Sequence, residues 1–145
     1  MRAYRTVAVA LTLAFAAVGL VFLLGPRSVD DLFEAAAGLQ GIAALPAGAV
    51  DSHLFRALAV AYMYLVGLLA WMTARRPGET VWPMLLAHAK LASAAVSMAL
   101  CLTGGPVLIL VVNTLVDGTI GVLALLLCRC AARGQQRGRA LAAGA

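Results

Sequence analysis

The chain has 145 residues, 63% of them hydrophobic and 12% charged, with a formal net charge of +5. A soluble domain carries about 25% charged residues and lacks repeated apolar runs of about 20 residues, the length that crosses roughly 30 Å of hydrocarbon. An ordinary soluble domain is therefore excluded. A transmembrane barrel is excluded too, because no ten-residue segments of alternating polarity occur. The composition predicts an all-α polytopic membrane protein: a four-transmembrane-helix bundle with a short extracytoplasmic amphipathic helix between spans one and two.

The first apolar run follows Arg2 and Arg5 and covers about 7–24. Ala14-Phe15-Ala16 resembles a small-residue cleavage site, but the run continues well past it, longer than a signal core. It reads as an uncleaved first span, ended by Gly25-Pro26. Residues 27–53 come next. Ser28 is a suitable helix cap, followed by Asp30, Asp31 and Glu34 where the helix dipole favours acidic groups. Leu32, Ala36 and Leu39 recur at helical spacing, so a short helix on the membrane surface is expected, covering the bundle. Gly41, Pro46 and Gly48 then loosen the chain.

The second span covers about 54–74, with Ser52 as cap and Arg56 reaching back toward Asp51 or lipid headgroups. Trp71 lies near its boundary, where Trp is favoured. Tyr62 and Tyr64 fall near mid-depth, where a phenol needs a hydrogen-bond partner. They point about 200° apart, so at most one faces a given neighbour. The Arg75-Arg76-Pro77-Gly78 turn leads to the third span, about 83–103, rich in Ala and Ser and suited to close packing inside the bundle. Thr103-Gly104-Gly105 joins it to the fourth span, about 106–128, which carries Gly118 and Gly121. The segment 129–145 is basic and expected to be a disordered tail whose arginines touch anionic headgroups and not nucleic acid.

Arginines flank the spans at the N-terminus, the 75–82 loop and the C-terminus, while 25–53 is acidic and 103–105 uncharged. Lys and Arg in short loops stay in the cytoplasm. Both termini are therefore expected inside, in a multi-pass protein of a cell membrane, of the bacterial inner-membrane kind.

Two spans carry groups that hydrocarbon rejects: His88 and Lys90 in the third, Asn113 and Asp117 in the fourth. Lys90, Ser93 and Ser97 share one helical face; Asn113, Asp117 and Gly121 share another. Folding about the glycine turn sets Lys90 within side-chain reach of Asp117. A charge at mid-membrane costs at least a few kcal/mol unless it is paired, protonated or wetted. A Lys90–Asp117 ion pair, with Asn113 and Ser93 completing its hydrogen bonds, meets that requirement. It serves either to fix helix register or to relay a proton or cation. The remaining arrangement has Lys90 snorkelling to the cytoplasmic surface and Asp117 protonated.

His88 points about 200° away from Lys90. As a haem or pigment ligand it lacks a second histidine, His53 being far away, so a core or interface role is preferred and no cofactor is expected. Cys101, Cys128 and Cys130 read as reduced thiols, too few together for a zinc site. No nucleophile, dinucleotide or phosphate-loop motif is present, so no catalytic or metal residue is assigned.

Three functions remain. The first is a non-catalytic accessory subunit of a membrane assembly, as homo-oligomer or within a larger complex. The second is a proton- or cation-coupled carrier or channel built on Lys90 and Asp117. The third is a membrane redox or pigment-binding protein acting through His88.

Overall fold

The computed structural model describes residues 2–41 and 53–143; within them, the side chains of residues 2, 26–30, 40, 53–56 and 137–143 are left out of the description. Five helices follow in order: α1 (Arg2–Leu24), α2 (Pro26–Gln40), α3 (His53–Arg75), α4 (Val81–Gly104) and α5 (Leu108–Ala143). No strand occurs among the described residues. Four helices, α1, α3, α4 and α5, are long and apolar enough to cross a membrane. The all-α four-helix bundle read from the sequence is the observed architecture, and the chain has the build of a multi-pass membrane protein.

Small residues decide which helices meet. α1 packs along α3, α4 packs along α5, and the two pairs join between α3 and α4. On the first pair, Ala8, Ala70 and Ala74 are buried, and Gly67 admits Phe15, whose Cβ would lie 3.6 Å from a Cβ added at the glycine. On the second, Gly121 is the tightest point. A Cβ there would come within 2.7 Å of Leu91 Cγ and 3.3 Å of its backbone nitrogen. Phe15, Val66, Ala70, Leu86, Ala87 and Ala124 form the core where the pairs meet. Lipid gives little hydrophobic drive for helix association, so such van der Waals fit and the polar contacts carry the assembly.

The turns follow residue chemistry. Gly25 alone separates α1 from α2, its N–H bonded to Val21 O at 2.9 Å, and Pro26 opens α2 with a fixed φ suited to a first helical turn. The helix therefore begins at Pro26, ahead of the expected start at Ser28. Gly41 ends it at φ 65°, bonding back to Ala37 O, a conformation that disfavours a Cβ. Gly105 takes φ 89° at the end of α4. The expected caps Ser28 and Ser52, the Arg56–Asp51 contact and the Pro46–Gly48 stretch lie outside the described residues or side chains.

One expectation gains detail and one is corrected. First, α2 turns Phe33 and Ala37 to the bundle, with Ala37 buried, while Leu32 and Leu39 face outward. The outward leucines belong to the apolar face expected on the membrane surface, and the contact with the bundle is made by the neighbouring stripe. Second, the segment after residue 128 is helical through Ala143, not disordered. Ala131, Ala132, Arg133 and Gln135 are good helix formers, and the extension has partners. Gln135 donates to Gly78 O, Ala131 is buried with Tyr4 and Leu127, and Cys128 Sγ lies 3.7 Å from Thr80 O. The 75–81 turn is further ordered by Arg76–Glu79 at 3.4 Å and by Trp82 Nε1 donating to Glu79 Oε2 at 2.6 Å.

The packing predicts opposite outcomes at two glycines of α5. A Cβ at Gly118 would sit 3.8 Å from Ala94 Cβ, ordinary contact, so Gly118→Ala is neutral or gains up to about 1 kcal/mol of helix propensity. Gly121→Ala forces Leu91 or the α4 backbone aside and loses about 1–3 kcal/mol. Thermal unfolding of both variants in one mild detergent measures the difference.

Candidate functional site

The two polar stripes meet between α4 and α5. Lys90 Nζ donates to Asp117 Oδ1 at 2.7 Å, with the side chains 1% and 4% exposed. The ammonium also lies 4.7 Å from the centre of the Phe15 ring and 4.8 Å from that of Tyr62. Desolvated cation–π contacts of this kind contribute about 2 kcal/mol. Lys90 is thus directed into the bundle, held by one carboxylate oxygen and two ring faces, and is not extended toward the surface. In the sequence Phe15 figures only within the Ala14-Phe15-Ala16 triplet and is not assigned to the polar site. Its position midway along an apolar run gives no polar signal, and only the placement of α1 over Lys90 reveals its role.

Asn113 acts differently from the expectation. Its Nδ2 donates to Ser93 Oγ at 3.0 Å and to Ser97 Oγ at 2.8 Å. Both amide protons are committed there, so Asn113 completes a serine clamp one turn from the ion pair and leaves the pair without its donor. As a result Asp117 Oδ2 is buried without a hydrogen-bond partner. A buried acceptor left unmade costs about 1–3 kcal/mol, and such an atom in a folded protein calls for an explanation.

Tyr62 donates through its hydroxyl to Ala89 O at 3.0 Å, the partner that a phenol in hydrocarbon requires. Tyr64 lies on the other side of α3 and is 73% exposed, as the angle between the two predicts. His88 is exposed on the outer face of α4, with Nδ1 2.8 Å from Met84 O, away from Lys90. Among the described residues no group of three or more His, Cys, Asp or Glu is placed to hold a metal ion. Cys101, Cys128 and Cys130 are free.

The ion pair and the clamp line one side of a cavity of about 630 Å³ to which all five helices contribute. Phe15, Val18 and Phe22 of α1, Leu100 of α4 and Ile109 of α5 make its walls apolar, and Phe33 of α2 reaches into it. α1 and α5 both line this space yet make no extended contact with each other. They meet where Tyr4 packs with Leu127 and Ala131, at the end bearing Arg75 and Arg76. Chemically, the site is an apolar space edged by a neutralised ion pair, with one unpartnered acceptor oxygen enclosed in the protein on the lining residue Asp117. No protein-family model, curated protein or solved structure matches the chain.

The pairing predicts strong coupling between Lys90 and Asp117. Lys90→Met or Asp117→Leu alone strands a charge and loses roughly 3–5 kcal/mol. The double variant recovers at least half of the summed loss, read as the departure from additivity in detergent unfolding. Simply additive losses would contradict the pairing.

Proposed function

We propose that the protein is a small proton-coupled carrier, with Asp117 as proton acceptor and Lys90 as the group its protonation releases. The observation that carries this reading is the enclosed, unpartnered Oδ2 of Asp117, a cavity-lining residue whose Oδ1 holds Lys90 at 2.7 Å. A proton arriving at Oδ2 would cancel the attraction that fixes Lys90. Two discrete arrangements of one buried pair follow, paired and released, the kind of two-state element that transport requires. A proton suits the site better than a metal cation, because Ca²⁺ or Mg²⁺ takes about six oxygen ligands and the polar foot of the cavity has few.

The reading includes a topology. Arg75, Arg76, Arg129 and Arg133 lie at one end of the bundle and would face the cytoplasm by the positive-inside rule, in contact with anionic headgroups. Both termini would then be cytoplasmic, with α2 on the opposite side, roofing the cavity.

A second reading, the accessory subunit, is favoured by the outer face of α4. There His88 leaves Nε2 unused by its contact to Met84 O, beside exposed Ala92, Ala95 and Ala99. Small residues and one polar group on a lipid-facing stripe suit a neighbouring helix.

One preparation tests both. In proteoliposomes of a total bacterial lipid extract carrying an imposed pH gradient, the purified chain is expected to speed proton flux. Asp117→Asn should cut that flux by about a hundredfold, the scale of losing a positioned proton-transfer group. Unchanged flux in the variant defeats the carrier reading. A protein that stays bound through purification, with no flux from the chain alone, favours the accessory one.

A further inference from the structure

We infer that the cavity binds a neutral lipophile with a hydroxyl head, a long-chain or isoprenoid alcohol, which enters sideways from the membrane between α1 and α5. As the carrier's cargo this ligand rests on the reading above; as an occupant of the site it stands on the geometry alone.

Size and lining come first. The space is about 630 Å³, inside the range of about 300–1,000 Å³ typical of small-molecule sites. Its walls are side chains such as Val18, Phe22, Leu100 and Ile109, with polar atoms gathered at the ion pair and the serine clamp. An apolar body with one polar end complements that distribution.

Charge selects the head group. Lys90 and Asp117 already neutralise each other at 2.7 Å. A cationic head would add an uncompensated charge in hydrocarbon, and an anionic head would meet the Asp117 carboxylate. What remains unsatisfied is the acceptor Oδ2, on a residue 3% exposed. Once the Asp117 carboxylate turns toward the cavity, a neutral O–H donates one hydrogen bond to this oxygen and adds no charge. The same oxygen is where a proton would bind, and protonation turns it from acceptor to donor toward the ligand hydroxyl, which can take either role. That reversal, together with the release of Lys90, couples ligand and proton at one oxygen with no covalent step.

The route follows from the helix arrangement. α1 and α5 meet at the basic end through Tyr4, Leu127 and Ala131 and have no extended contact along the cavity. α2 contacts both α1 and α5 and brings Phe33 into the cavity, closing the end opposite the arginines. The seam between α1 and α5 is the side left for an elongated molecule already dissolved in lipid.

Photolabelling of the full chain in proteoliposomes tests this, using diazirine analogues of hexadecanol, hexadecane and hexadecanoic acid, with labelled residues mapped by mass spectrometry. The alcohol is expected to label Val18, Phe22 and Ile109 about tenfold above the alkane, the ratio one net hydrogen bond supplies. Unlabelled hexadecanol should compete the excess away. Val18→Trp, which fills the cavity and leaves the ion pair intact, should abolish it without lowering the unfolding temperature. Equal labelling by alcohol and alkane, preferential labelling by the acid, or labelling that survives Val18→Trp would each overturn the inference. Competed labelling in a chain that moves no protons upholds the binding site and removes the carrier reading. Proton flux without competed labelling upholds the carrier and removes this ligand.

Discussion

A charged side chain in hydrocarbon must find its opposite, and the contact between Lys90 Nζ and Asp117 Oδ1 at 2.7 Å is where this bundle meets that demand. The pair spans α4 and α5 and fixes their register. For the two helices to come close enough, Gly121 must lack a side chain opposite Leu91. The serine clamp on Asn113 repeats the same register one turn further along. Neither helix can slide by a residue without breaking both sets of contacts, which is how buried polar groups specify one packing among several of similar apolar fit.

The second helix pair is arranged by the same charge. An ammonium with three N–H groups and one carboxylate contact needs further stabilisation, and the faces of Phe15 and Tyr62 provide it from α1 and α3. Tyr62 is held in turn by Ala89 O, tying α3 to α4. These rings serve the lysine and Asn113 serves the serines, so Asp117 Oδ2 is enclosed without a partner. α1 leans on α3 and makes no extended contact with α5, which leaves the cavity that Asp117 helps to line. Structure and proposed chemistry thus share one origin.

The sequence made the fold legible because the hydrocarbon requirement leaves little choice: four apolar runs of spanning length can only be helices. The Lys90–Asp117 contact was legible for a related reason, since two opposite charges on small-residue stripes flanking a glycine turn have few other partners. Helical angles alone also separated Tyr62 from Tyr64 and His88 from Lys90. What stayed hidden depended on contacts between segments remote in sequence. Phe15 is one of many apolar residues in its run, and nothing local marks it as the ring that meets an ammonium. In α2, the choice between the Leu32 and Phe33 faces depends on which side α1 and α5 present. The helix after residue 128 looked like a polar tail, because its composition shows neither the Gln135 contact to Gly78 nor the burial of Ala131 against Tyr4.

The central claim is that Asp117 is an ionised partner of Lys90 inside the bundle. Difference infrared spectroscopy reads this directly, comparing the protein in bilayers at neutral pH with its Asp117→Asn variant, both labelled with isotopic aspartate. The account predicts that the substitution removes a carboxylate stretching band and no protonated carboxyl band. Loss of a protonated carboxyl band instead would mean that the residue is neutral and Lys90 unpaired, and would contradict it.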